Sequence, residues 1–122
     1  MANLKDLQKI AEVEFKDMVE HSFIKDYKLR IILKDGSFID VFLSQKLKDK
    51  FGFHWECIDG KIFRYDNFPD KKAKKLKSFP FHFHYEKQEN IQEVPFRTEI
   101  ENGFRDFLNF VRGKIKENLR KK

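Results

Sequence analysis

The stretch FGFHWECIDGKIFRYDN, residues 51–67, decides how the chain folds. Aromatic and polar residues alternate on both sides of its central Asp59-Gly60 pair. Because successive side chains of a strand point to opposite faces, this alternation predicts two strands with one aromatic and one polar face. The Asp-Gly pair is typical of the turn that joins such strands. We therefore expect the stretch to form a β-hairpin.

The hydrophobic pattern also selects the register of this hairpin. A two-residue turn would set Trp55 opposite Arg64 and mix apolar with charged side chains on both faces, which is unfavourable. A three-residue loop that ends at Gly60, with this glycine in the left-handed region as a bulge, sets Trp55 opposite Phe63 instead. The same loop sets His54 opposite Arg64. The bulged register is therefore the prediction.

A second alternating stretch, FPFHFHY at residues 79–85, follows a lysine-rich connector. In a strand its phenylalanines enter the core, while His82 and His84 share the opposite face. We expect that face to collect the polar side chains of the hairpin as well and, if both helices cover the aromatic face, to stay open to a ligand. The candidate catalytic residues are His54, Arg64, Asp66, His82 and His84.

Outside this region the pattern predicts three more elements. Residues 3–20 carry an apolar stripe typical of a helix, and residues 28–43 form a second hairpin with the same bulged Asp-Gly turn. A C-terminal helix begins at a capping box of Thr98 and Glu101 and carries an apolar stripe as far as Ile115. The predicted class is α+β, an antiparallel sheet of about five strands with an N-terminal and a C-terminal helix packed on one face.

Length and composition predict a single domain, residues 1–122. The chain is 38% charged but also 40% hydrophobic, and its 15 phenylalanines can supply one core. Its single cysteine, Cys57, excludes an internal disulfide and is expected to pack in the core. No signal peptide and no apolar run near the roughly 18 residues that span a bilayer can be found. A cytoplasmic protein without membrane contact is expected.

The net charge of +6 is concentrated in two clusters. The connector contains Lys71, Lys72, Lys74, Lys75 and Lys77, and the C-terminal basic cluster contains Arg112, Lys114, Lys116, Arg120, Lys121 and Lys122. Such clusters suit a polyanion, although a single lysine run is more often just a solvated surface. The connector lysines, together with Asn67, are the candidate substrate-binding residues, and RNA or an acidic protein is the expected partner.

Four motifs resemble those of a known family, the TumE toxins: FHW at 53–55, DGK at 59–61, RYDNFP at 64–69 and FPFHFH at 79–84. Family members carry an aromatic-His segment, then Arg-aromatic-Asp-Asn-Ala-Pro, then Phe-Pro-His-His-Lys-His. The chain departs from this pattern at Phe68, which replaces the alanine, and at Phe81 and Phe83, which replace a histidine and the lysine. Asp70 and the lysine run stand where histidines often follow the proline.

The resemblance implies a small toxin of a toxin-antitoxin pair that inhibits growth. Its partner would be a cognate antitoxin, commonly a helix-turn-helix protein. The resemblance implies no particular reaction, and it leaves a homodimer open.

The favoured hypothesis for the chemistry is a ribonuclease that needs no metal or other cofactor. Histidines with a pKa near 6.5 can transfer protons at neutral pH, and an arginine can stabilise charge on a phosphate. His82 and His84 are expected to transfer protons, Arg64 to bind the phosphate, and His54 or Asp66 to orient the others. The 2′-hydroxyl of RNA would be the nucleophile, so DNA would be spared.

Two other hypotheses stay open. His82 and His84 project the same way, and with His54 and Asp66 they could hold zinc or another transition ion. Alternatively, the protein is a non-catalytic basic module that binds RNA or protein through its lysines and aromatic residues. For any one histidine, a hydrogen bond on a solvated sheet is a sufficient explanation.

Overall fold

A computed structural model describes residues 2–121; Met1 and Lys122, the last residue of the C-terminal basic cluster, lie outside the described residues. Within them the chain forms two α-helices, seven strands and a short 3-10 helix. These are α1 (Leu4–Glu14), β1 (Val19–Lys25), β2 (Lys28–Leu33), β3 (Phe38–Leu43), β4 (Phe51–Glu56), β5 (Ile62–Asp66), the 3-10 helix (Lys71–Ala73), β6 (His82–Glu86), β7 (Ile91–Gln92) and α2 (Ile100–Arg120).

The strands form one antiparallel sheet in which the spatial order equals the order in the chain. The predicted α+β class is therefore confirmed, with seven strands rather than about five. Short turns connect most neighbouring strands, so each strand pairs with the strands beside it in sequence. The central strands β4, β5 and β6 lie next to one another and carry all five candidate catalytic residues.

Both bulged hairpins have the predicted register. Trp55 lies opposite Phe63, and His54 lies opposite Arg64. Gly36 and Gly60 have φ angles of 93° and 90°, the left-handed region that a side chain would strain. Glycine at each turn thus allows the extra residue that keeps the aromatic side chains on one face.

The core lies between the aromatic face of the sheet and the two helices. The ring of Phe53 packs against Phe104 and Phe107 of α2, with centroid separations of 5.3 and 5.9 Å. From α1, Leu7 and Ala11 are fully buried in the same cluster. Both α-helices therefore cover one face, as predicted, and within residues 2–121 only the short 3-10 helix lies on the side of the opposite, polar face.

The N-terminal prediction is wrong in its extent. Helix α1 ends at Glu14, and the chain turns so that β1 begins at Val19, which places His21 in a strand. A two-residue turn joins β1 to β2, and its residues Asp26 and Tyr27 have φ angles of 53° and 64°. This turn lacks glycine, and most side chains of β1 are exposed. β1 therefore has neither a glycine in its turn nor a buried apolar face, the two signals that predict a hairpin from sequence.

Two smaller differences occur near the C-terminus. The predicted capping box is absent, because α2 begins at Ile100 with Glu99 as its N-cap residue and no side-chain capping hydrogen bond. Residues 86–93, for which the sequence pattern predicts no element, contain β7, a two-residue strand paired with β6.

Cys57 packs against the core, and burial raises its pKa to about 12. Neither described helix has the length and apolar character that a bilayer-spanning segment needs.

Candidate functional site

The strand register brings the five candidate catalytic residues together on the polar face. Arg64 of β5 lies between His54 of β4 and His84 of β6, and Asp66 lies opposite His82. All five line one cleft of about 590 Å³. The other walls of this cleft are formed by residues 68–72 and by Gln88.

Asp66 is the centre of the cluster, and each of its carboxylate oxygens has two neighbours. Oδ2 accepts a hydrogen bond from Arg64 Nε at 2.8 Å and lies 3.7 Å from His84 Nε2. Oδ1 accepts a hydrogen bond from the backbone N–H of Phe68 at 3.0 Å and lies 3.2 Å from His82 Nε2. The carboxylate is buried, and these contacts fix its orientation.

The hydrogen bonds of the two histidines define their tautomers. His82 Nδ1 lies 2.9 Å from the carbonyl oxygen of Pro80, and His84 Nδ1 lies 2.7 Å from the carbonyl oxygen of Gln88. A carbonyl oxygen can only accept a hydrogen bond, so Nδ1 must carry a proton in both rings. The other nitrogen of each ring, Nε2, faces Asp66.

The polar face is less open than the sequence predicts. His82 is only 2% exposed and His84 only 1%, so the two rings line the cleft but present almost no surface to solvent. The physical reason is the path of the chain after β5: residues 68–72 line the same cleft, and both rings are tied to backbone carbonyls. His54 and Arg64 keep more exposure, with 21% and 31% of their side-chain surface accessible.

Opposing effects determine the protonation of the buried pair. Burial alone would raise the pKa of Asp66, but its contacts with His82 and His84 outweigh burial, and the pKa lies well below the ordinary value. Burial alone would lower the pKa of His82, but its hydrogen bonds to Asp66 and Pro80 raise it. Asp66 is therefore ionised at neutral pH, and the negative charge favours the protonated form of His82.

His54 differs from the other two histidines of the cleft. Its Nδ1 has no hydrogen-bond partner among the described residues, and its Nε2 lies 3.5 Å from Glu56. Burial, and then the positive charge of Arg64, lower its pKa despite the opposing effect of Glu56. His54 is therefore neutral at pH 7 and able to accept a proton.

Gly52 of β4 is a residue of this site that the sequence analysis missed. A Cβ atom at this position would lie 2.7 Å from Nη2 of Arg64 and 3.3 Å from its Cζ. The missing side chain therefore makes room for the guanidinium beside Asp66. Its signal in the sequence was a glycine inside a strand, which often marks a close approach of another group.

The candidate substrate-binding residues are only partly brought to the cleft. Lys71 and Lys72 line it, whereas Lys74, Lys75 and Lys77 are exposed and lie outside its lining. Asp70, whose side chain caps the 3-10 helix by accepting from the N–H of Lys72, also lines it. The cleft therefore has a basic wall formed by two of the five connector lysines.

Asn67 is a structural residue of the strand end. Its side chain accepts a hydrogen bond from the N–H of Phe51 at 2.9 Å and donates one to the carbonyl of Asp49 at 2.7 Å. Both polar atoms of the amide are thus bound to backbone, and the residue is 4% exposed. The structure does not bring Asn67 to the lining of the cleft.

Comparison with known proteins supplies a family. A family model described as Toxin TumE matches residues 4–115, which span α1, the whole sheet and most of α2. Comparison with curated proteins and with solved structures found no match.

Proposed function

The chain belongs to the TumE toxin family, and we propose that it inhibits growth by cleaving RNA in the cleft of the polar face. One observation carries this proposal: a guanidinium, two lysines and a partly exposed imidazole line a single cleft. Positive groups bind phosphate, and a neutral imidazole accepts protons at physiological pH. Those are the two requirements of RNA cleavage by internal attack.

Arg64 is the proposed phosphate ligand. Its Nε donates to Asp66, which holds the guanidinium plane in place, and no hydrogen bond to its terminal Nη atoms is found among residues 2–121. The guanidinium can therefore donate two parallel hydrogen bonds to a phosphate. Lys71 and Lys72, on the wall of the cleft, add charge that attracts the RNA backbone.

His54 is the proposed general base. It removes the proton from the 2′-hydroxyl, the 2′ oxygen attacks phosphorus, and the bond to the 5′ oxygen breaks to leave a 2′,3′-cyclic phosphate. A water molecule that enters the cleft gives its proton to the departing 5′ oxygen, and the hydroxide formed takes the proton from His54, which returns the ring to its neutral form. This assignment moves the proton-transfer role from His82 and His84 to His54, because the former are almost completely buried and tied to Asp66.

Membership of a toxin family also implies an antitoxin partner. That the antitoxin is a helix-turn-helix protein stays a prediction. An antitoxin that neutralises the proposed activity would have to keep RNA away from the cleft.

The test is cleavage of a labelled RNA by the purified full chain, with DNA of the same sequence as a control substrate. Wild-type protein should cleave RNA and spare DNA. His54→Ala and Arg64→Ala should each reduce the rate by about 100-fold or more, the contribution typical of a general base. His21→Ala is the matched control, because His21 lies in β1 and does not line the cleft, and it should cleave like wild type.

The same variants should be expressed in cells. Wild type and His21→Ala should arrest growth and degrade RNA, whereas His54→Ala should do neither. Growth arrest with intact RNA would contradict the proposal. Equal toxicity of wild type and His54→Ala would contradict it as well, and would favour a non-catalytic binding module.

A further inference from the structure

We propose that Asp66, His82 and His84 bind one divalent transition-metal ion at the floor of the cleft. Their candidate ligand atoms all lie within 4.8 Å of one another, and all three residues are buried. The role of such an ion in catalysis rests on the proposed function, but its binding can be measured independently.

The tautomers are the first argument. Pro80 and Gln88 accept hydrogen bonds from Nδ1 of the two rings, so the neutral form of each ring presents a lone pair on Nε2. In that neutral form the two lone pairs repel the ionised carboxylate, so either protons on Nε2 or a metal cation must lie between the rings and Asp66. Neutral imidazole nitrogens and a carboxylate oxygen are ligands of zinc and related ions.

The distances are the second argument. Two atoms that are each about 2.1 Å from one ion lie about 3.4 Å apart at the tetrahedral angle. His82 Nε2 lies 3.2 Å from Oδ1 of Asp66 and His84 Nε2 lies 3.7 Å from Oδ2, so an ion that both oxygens of the carboxylate bind would find distances on each side of this value. The longer one exceeds the usual length of an N–H···O hydrogen bond. A bound ion could be coordinated by both nitrogens, whereas only the His82 nitrogen is close enough to Asp66 for a good direct hydrogen bond.

The third argument concerns the groups that form hydrogen bonds with the three ligand side chains. Metal-binding histidines usually donate their other ring N–H to a carbonyl or carboxylate, and ligand carboxylates are themselves hydrogen-bonded. Both features are present here, since Arg64 Nε and the N–H of Phe68 hold the two oxygens of Asp66. The three ligand groups are therefore already oriented without an ion.

The side of the ion away from these ligands would face the cleft, where Arg64 and His54 also lie. Two histidines and one carboxylate leave positions for water or a phosphate oxygen. An ion there would polarise the phosphate that Arg64 binds. The hypothesis favoured by the sequence, cleavage without metal, is then replaced by metal-assisted cleavage.

The first experiment measures binding to the full chain after treatment with a chelator and dialysis. Zn²⁺ should bind with one ion per chain by calorimetry, and Co²⁺ should give the visible absorption of a site with nitrogen and oxygen ligands. Binding of less than about 0.1 ion per chain would overturn the proposal, because coordination of a structured site is stoichiometric.

The second experiment uses matched variants. Asp66→Asn and His84→Ala should weaken Zn²⁺ binding by at least about 100-fold, beyond the 10- to 100-fold cost of losing an outer contact. Asp40→Asn is the control carboxylate, because Asp40 lies on the same face and is bound by Arg30. Asp40→Asn and His21→Ala should bind like wild type. Unchanged binding by folded Asp66→Asn and His84→Ala would overturn the proposal.

A third experiment needs no variant and decides the matter if a buried substitution prevents folding. Long-range ¹H–¹⁵N correlation spectra of wild type distinguish the ring nitrogens of all four histidines. Zn²⁺ should shift Nε2 of His82 and His84 while their Nδ1 stays protonated. Shifts confined to His21 or His54 would contradict the assigned site.

The outcomes separate this proposal from the proposed function. One ion bound at Asp66, His82 and His84 without RNA cleavage would contradict the ribonuclease and support the metal site. RNA cleavage by chelator-treated protein that binds no Zn²⁺ would contradict the metal site and support the ribonuclease.

Discussion

The two faces of the sheet are built from the same strands but have different physical roles. On β5, Phe63 and Tyr65 enter the aromatic core, while Arg64 and Asp66, which alternate with them, line the cleft. On β6, Phe83 is in the core and its two neighbours are the cleft histidines. The two α-helices cover the aromatic face. One alternating pattern thus produces both the stability and the candidate site.

The difference teaches how a small domain can keep a charged cluster at its centre. The aromatic face stabilises the sheet by removing apolar surface from water. The polar face contributes less to stability, because each buried charge loses its hydration and must be compensated by charged or hydrogen-bonding partners. Substitutions on the first face should therefore change stability, and substitutions on the second should change activity.

The largest expected effect comes from neighbouring residues that face opposite ways. Phe53→Ala should lower the free energy of unfolding by about 3–5 kcal/mol, because a fully buried ring that contacts α2 is lost. His54→Ala should change it by less than about 1 kcal/mol. Urea denaturation measures both. Equal losses in the two variants would contradict the division between the faces.

The next effect separates activity from stability at Gly52. Gly52→Ala places a Cβ atom where the Arg64 guanidinium lies, and the flexible arginine can move away. We expect RNA cleavage to fall about 10- to 100-fold, as a displaced positioning group typically causes. Stability should stay within about 1 kcal/mol, since alanine is slightly better than glycine in a strand. Wild-type cleavage by this variant would show that the position of Arg64 is unimportant.

A smaller and opposite effect is expected on the outer side of α2. Gly113 is exposed, and no atom lies within 4 Å of a Cβ built there. Gly113→Ala should therefore raise the free energy of unfolding by up to about 1 kcal/mol through helix propensity alone. RNA cleavage should equal that of wild type. A loss of RNA cleavage in Gly113→Ala would show that a change in α2 affects the cleft on the opposite face of the sheet.

The smallest expected effect concerns pH. Burial and Arg64 lower the pKa of His54, so folding favours its neutral form. The stability contributed by this group is present above the unfolded pKa of about 6.5 and is lost as the pH falls through the folded value. Arg64→Gln should raise the pKa of His54 and reduce that loss. NMR titration of the His54 ring measures this pKa in both proteins.

Arg97→Gln is the control for this titration, because Arg97 pairs with Asp106 of α2. It should leave the His54 titration unchanged. An unchanged pKa of His54 in Arg64→Gln would contradict the assignment of Arg64 as a cause.

Strands with strong alternation could be predicted, and strands at the edges could not. In β4 and β5, aromatic side chains alternate with polar ones, and a wrong register would expose half of them. Strands β1 and β7 each pair on one side only and bury little surface. Their existence depends on hydrogen bonds to β2 and β6, which a local pattern does not record. The turn at Asp26-Tyr27 could not be predicted from the sequence either, because it contains no glycine.

By itself, the sequence determined that His54, Arg64, Asp66, His82 and His84 share one face, because strand periodicity and bulged turns leave no other way to bury the aromatic residues. Only the tertiary structure decided how buried each of them is and which atom each presents. The carbonyls of Pro80 and Gln88 and the N–H of Phe68 come from irregular segments, where no periodicity predicts direction. The two carbonyls turn both imidazoles toward Asp66, and the Phe68 N–H holds the carboxylate. Asp66, His82 and His84 are therefore buried, whereas His54 and Arg64 stay partly exposed.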